Sequence, residues 1–262
     1  MRAAVVIAFV LAGCASSPPK QAVTDLAPSG TLRAAINVGN AVLAARPATP
    51  GGEPTGISVD LARELARRLG VPVQLVVFDA AGKVVDAGRT GGWDIAFVAL
   101  DPKRAAEIAQ SPPYVQIEGS YLVKNDSPLK SNDEVDRKGH RVVVGRNSAY
   151  DLYLTRELKE AEIVRTPTSA QVVDTMLKDN YEVSAGVKQA LENDARRLPG
   201  VRLLPGRFMV INQAMASQRN KEAGARYVRE FIEEMKASGF VAKAIERHNQ
   251  PSAVVAPPGD PK

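Results

Sequence analysis

Cysteine is all but missing: Cys14 is the only one in 262 residues, so no internal disulfide staples the fold and no thiolate cluster can hold a metal. The two histidines, His140 and His248, stand far apart in sequence without partners at the spacing of a zinc site or a nucleophile–base pair, and read as surface residues. Aromatic residues make up only 5% of the chain, and the formal charge is only +5, with Lys and Arg scattered among Asp and Glu. Without a basic block or an aromatic-basic ladder, a nucleic-acid surface is not expected. The string "GRTGG" at 88–92 follows no strand and reads as a turn, not a dinucleotide loop. No cofactor, metal or catalytic residue is expected. Long apolar runs are also lacking, since the only candidate, Ala3 to Ala12, is too short to span a bilayer.

What is present describes a globular body between two tails. An apolar fraction of 45% and a charged fraction of 24% suit a globular chain, and the length allows one large domain or two ordinary ones. The start, "MRAAVVIAFVLAGC", has a basic residue, a short apolar run and small residues, the make-up of a secretory signal over 1–13. Its "LAGC" resembles a bacterial lipobox, which predicts lipidation of Cys14 and a protein held at a membrane surface outside the cytoplasm. Residues 14–28 read as a lipidated tether, and 250–262 as a flexible tail, both small, polar and proline-bearing.

Between them the patterns alternate. "TLRAAINV" reads as a strand ending near Asn37, and "GISVDLARELARRLG" carries Ile57, Leu61, Leu65 and Leu69 at helical spacing with Gly70 as a stop. "VPVQLVVF" is a near-continuous apolar strand of the kind buried on both faces. A helix in "KVVDAGRTG", a strand in "WDIAFVAL" and a helix opening at "DPKR" complete a β-α-β-α-β-α order, the signature of a parallel sheet covered by helices. The second half repeats it: strands at 140–147, "EIVRTP" and "EVSAGV", with helices between and after them. An extended run at 201–216 and a long helix broken at Gly239 follow. The expected fold is therefore α/β, with two Rossmann-like lobes joined by two hinge crossings, through "YVQIEGSYLV" and part of 201–216. Lobe 1 is expected over 29–117 plus 213–249, and lobe 2 over 118–212.

One local oddity bears on function. Asp101 and Pro102 open a helix well, yet Lys103 and Arg104 then fall in its first turn, where the helix dipole disfavours positive charge by roughly 0.3–1 kcal/mol. Either these are solvated charges, or Arg104 faces an anion across a cleft.

The strings "TLRAAI", "GEPTGISVDLARELARRLG", "WDIAFVALDPKRAAEIAQSPPY", "VVVGRNSAYDLYL" and "SGFVAKAI" run in an order that resembles the bacterial extracellular solute-binding proteins of family 3, the type II periplasmic fold serving ABC importers. The resemblance implies a monomer that captures a small anionic or zwitterionic ligand between its lobes and presents it to an ABC permease. It places Arg104 on the ligand carboxylate, with Leu100 at the preceding strand end. It further implies that Ser148, Ala149 and Tyr150, at the opening of a lobe 2 helix, supply a second set of hydrogen bonds. Asn37 and Asn40 take the first-lobe loop, where the aromatic that often stacks on the ligand is missing. The aspartate that receives an amino acid's ammonium group in such proteins is missing too: Val187 stands there, followed by Lys188 and Gln189. The alternatives are an enzyme on the same scaffold, similar to cyclohexadienyl dehydratases, with Glu182 or Lys188 as its only candidates for the acid, or a ligand-sensing module.

Overall fold

The computed structural model describes residues 17–47 and 49–259; the signal, the lipobox and Cys14 lie outside them. In chain order the elements are α1 (Lys20–Leu26), β1 (Leu32–Asn37), α2 (Ile57–Leu69), β2 (Val73–Phe78), α3 (Ala81–Arg89), β3 (Ile95–Ala99), α4 (Pro102–Ala105) and the long β4 (Ile108–Lys124). There follow β5 (Arg141–Gly145), α5 (Ala149–Glu157), β6 (Glu162–Thr166), α6 (Val172–Lys178), β7 (Val183–Val187) and α7 (Lys188–Arg197). The chain closes with β8 (Val201–Leu203), β9 (Met209–Gln218), α8 (Glu222–Ala237), α9 (Phe240–Arg247) and β10 (Val254–Val255).

Strand order across the sheet is β2-β1-β3-β9-β4-β7-β5-β6. The β2-β1-β3 group is parallel on one side and β7-β5-β6 is parallel on the other. Between them β9 runs antiparallel to both β3 and β4, and β4, 17 residues long, pairs with β9 along one stretch and with β7 and β8 along another. These two strands are the hinge crossings that join the lobes. Helices cover the sheet through apolar stripes: α2 buries Ile57, Leu61, Leu65 and Leu69, and α8 buries Val228, Phe231, Ile232 and Met235. The only tryptophan, Trp93, is fully buried, its indole N–H donating to the Val84 carbonyl at 2.7 Å.

Four expectations need correction. The strand β2 is not buried on both faces, because β1 already separates it from β3, so it forms the sheet edge and leaves Val77 47% exposed. The "DPKR" helix is a single turn that feeds directly into β4, where the consecutive prolines are absorbed by register shifts between Gln110 and Val115. The tether reading fails over 20–26, which fold as α1. Ala22 and Leu26 are one turn apart and bury together, while the Asp25 carboxylate accepts from the Gly224 N–H that opens α8. The tail reading fails likewise. There β10 pairs with β4 at Val115 and Gln116, Ala253 and Ala256 are buried, and Ala256 N–H donates to the Tyr114 carbonyl.

Candidate functional site

The ends of β1 and β3 from one lobe and the ends of β5 and β7 from the other face each other across a cleft floored by β9. Its walls include Asn37, Asn40, Ala81, Ala99 and Arg104 on one side, and Ser148, Ala149, Tyr150, Ser169, Val187 and Asp194 on the other. Ile211 and Gln213 of β9 form the floor. The cleft holds a space of about 60 Å3, well above the ~10–15 Å3 needed to admit a water.

Arg104 is the most unusual group here. Its residue exposure is 2%, and among the described residues it makes no ion pair. Its guanidinium donates to the Ala99 carbonyl at 3.0 Å and, across the cleft, to the Asn147 carbonyl at 2.7 Å. Burial pulls its pKa down to about 10, with the Asp101 charge opposing, so the group is still a cation at neutral pH. Asp101 does not neutralise it by contact: that carboxylate caps the α4 turn by accepting from Lys103 N–H and pairs with Arg156 of α5 at 2.9 Å. A buried cation is costly unless paired, so the cleft is complementary to an anion.

The opposite wall presents the N-terminus of α5. Ser148 spends both groups locally, its N–H on the Gly145 carbonyl and its hydroxyl oxygen as acceptor for Asp151 N–H. The Ala149 and Tyr150 N–H groups, in the first turn, find no acceptor among the described residues, and such groups suit an anion. Tyr150 is buried, which raises its pKa, and its hydroxyl donates to Ser169 Oγ at 2.7 Å.

Three contacts between the lobes show that the cleft is closed. Besides the Arg104 and Asp101 links, Gly82 of α3 lies so near lobe 2 that a Cβ built on it would stand 2.8 Å from the Asn147 Cβ.

Of the anticipated residues, Asn37, Asn40, Arg104, Ser148, Ala149 and Tyr150 come together here. Leu100, Lys188 and Gln189 are not in the lining. Leu100, one residue past the end of β3, is 39% exposed. Lys188 turns from the cleft to pair with Glu118 at 2.9 Å, and Gln189 accepts from the Ser252 hydroxyl at 2.6 Å. Glu182, at the far end of β7, is held by Arg141 at 2.6 Å, which lowers its pKa.

Sequence reading missed Gln213, Ser169 and Asp194. Gln213 shares the β9 face of Ile211 and Met215, so a period-2 reading of "MVINQAMA" would have exposed a lone amide at a core position. Asp194 sits seven residues after Val187, on the helix face that also carries Ala190 and Leu191. The Asp194 carboxylate is already paired with Arg197 at 2.9 Å.

A family model for bacterial extracellular solute-binding proteins, family 3, matches residues 41–251. No curated protein matches the chain in sequence. Among solved structures, the solute receptor for L-cysteine of Neisseria gonorrhoeae superposes with a TM-score of 0.75 at 20% identity, over 88% of this chain and 94% of the receptor. The P235GK mutant of ArgBP from T. maritima gives 0.73 at 18% identity, over 87% and 99%. An ancestral amino acid-binding protein, AncCDT-1, described as a precursor of cyclohexadienyl dehydratase, gives 0.72 at 21% identity, over 86% and 97%. At such identities the likeness is one of fold.

Proposed function

Because the chain belongs to the bacterial extracellular solute-binding proteins of family 3, we propose that it captures an amino acid or related small carboxylate between its lobes and delivers it to an ABC permease. The carrying observation is Arg104: a buried cation without a carboxylate partner among the described residues, opposite the Ala149 and Tyr150 N–H groups that find no acceptor there. A planar guanidinium offers paired donors to a carboxylate and keeps its charge. The lobes, divided near residues 117 and 212, open and close about β4 and β9, and the ligand stabilises the closed form by touching both. Lipid attachment at Cys14, after the "LAGC" string, would hold the protein at the membrane outside the cytoplasm.

Binding without chemistry accounts for the lining better than catalysis does. Glu182 and Lys188, the only groups singled out for a dehydratase, are both tied in ion pairs away from the cleft.

The test is a thermal-shift screen of amino acids and small carboxylates. A ligand at a hundred times its Kd adds about 2.7 kcal/mol, a rise of roughly 5–10 °C for a chain of this size. Arg104→Ala should weaken the hit by about 2–5 kcal/mol while the unliganded protein still melts cooperatively. Full binding by that variant would refute the site.

A further inference from the structure

Gln213 is 5% exposed, and its side-chain amide makes no hydrogen bond among the described residues. It lies on the floor of the cleft, between apolar Ile211 and Met215 on the same strand face. Its side-chain amide brings two donors and an acceptor, and without a protein partner these groups open into the cleft, where a ligand can meet them. Nothing in the packing of β9 calls for it. Its β3 neighbour in register is Ala99, whose carbonyl holds the Arg104 guanidinium. Adjacent strands lie about 4.8 Å apart, so Gln213 and Arg104 are within reach of the two ends of one small molecule. A second unmet group stands on the neighbouring wall: Asn40 Oδ1 is buried without a partner.

We infer that Gln213, assisted by Asn40, is the specificity-determining residue of the cleft, receiving the ligand's amine through uncharged amide oxygens and restricting the ligand to zwitterionic amino acids without a cationic side chain. The inference rests on the proposed amino-acid role and names the substrate class within it. Val187 supplies no charge for an ammonium group, and Asp194, the only carboxylate in the lining among the described residues, has one oxygen paired with Arg197 of the same helix. An amide oxygen can accept from an ammonium without itself being a buried charge, a workable arrangement when the ligand brings its own carboxylate to Arg104. A second cation on the ligand would meet Arg104 with only the paired Asp194 to balance it.

The experiment is calorimetric titration of the full mature protein with L-alanine, glycine and L-serine, with propionate as the counterpart lacking the amine, and with L-arginine as the long cationic probe. The unsubstituted protein should favour L-alanine over propionate by at least about tenfold and reject L-arginine. Gln213→Leu and the length-matched Gln213→Met should each weaken L-alanine by about 10–100-fold, leave propionate unchanged, and melt no lower than the parent without ligand. Asp194→Asn should change neither affinity. Gln213 variants that keep the parent ratio of L-alanine to propionate would overturn the inference, as would loss of L-alanine binding in Asp194→Asn alone. Preference of the parent for L-arginine would overturn it and leave amino-acid capture standing, as would a parent that binds none of these probes but takes another amino acid in the thermal-shift screen; no hit in that screen would sink both. The Met variant keeps the test decisive should the Leu variant fail to fold.

Discussion

A guanidinium removed from water without a carboxylate at hand is a stored demand, and Arg104 owes it to where the "DPKR" turn delivers it. The sequence suggested a helix dipole resisting Lys103 and Arg104, but α4 has only four residues. The real cost is desolvation, which Lys103 escapes by being exposed and Arg104 does not. Charge alone is not enough for its partner: Arg104→Lys should recover only a minor part of the affinity lost in Arg104→Ala, because an ammonium cannot reproduce two parallel donors. Titration of the hit from the screen against both variants checks this. At this scale the α5 opening was legible because helix starts are written in local residue types, whereas around Arg104 the local residues left a solvated charge and a cleft cation both open, and only the family resemblance chose between them. Gln213 was not legible, since its meaning depends on two strands, β3 and β4, that reach it from distant parts of the chain.

Among elements, α3 faces the turn between β5 and α5 across the cleft, with Gly82 set against Asn147. Gly82→Ala places a methyl 2.8 Å from the Asn147 Cβ and should cost about 1–3 kcal/mol in ligand affinity. The unliganded melting temperature should hardly move, since an opened cleft relieves the contact; equal loss in both would indicate lobes that stay shut. A second element contact reports on pH. Glu64 of α2 accepts from Arg67, its chief stabiliser, and from Arg68, which reaches on to Glu234 of α8 at 2.8 Å. Its pKa is lowered to about 2. A depressed carboxyl contributes stability that is complete above its unfolded value and disappears as pH falls through its folded one. The melting difference between the parent and Glu64→Gln should therefore be constant near neutrality and shrink as pH falls from about 4.5 to about 2. Elements with strong periodicity, such as α2 and α8, were readable, whereas β2 was misjudged because an apolar run states that a strand is covered without stating how many neighbours it has. Pro205 and Gly206 divide the extended run at 201–216 into β8 and β9, a break that apolar content alone concealed.

For the molecule as a whole, the βα repeat announced two lobes, but composition misled at both ends, where Pro, Ser and Ala also suit short docked segments. The last stretch lies on the hinge strand β4 through β10 and touches lobe 2 through Ser252 and Gln189. Ending the chain at Gln250 should lower the unliganded stability by about 1–3 kcal/mol, read as a shifted midpoint in denaturant. An unchanged midpoint would mean that this segment rides on the fold without supporting it. The docking of α1 on α8 has a mechanical consequence. Because α1 leads directly into β1 and grips α8, a hold placed on the N-terminal side of Lys20 makes lobe 1 the stator and lobe 2 the rotor. A protein fixed to a surface by that end would then signal each capture through movement of lobe 2 alone, and a distance probe on α6 would sweep far more than one on α8.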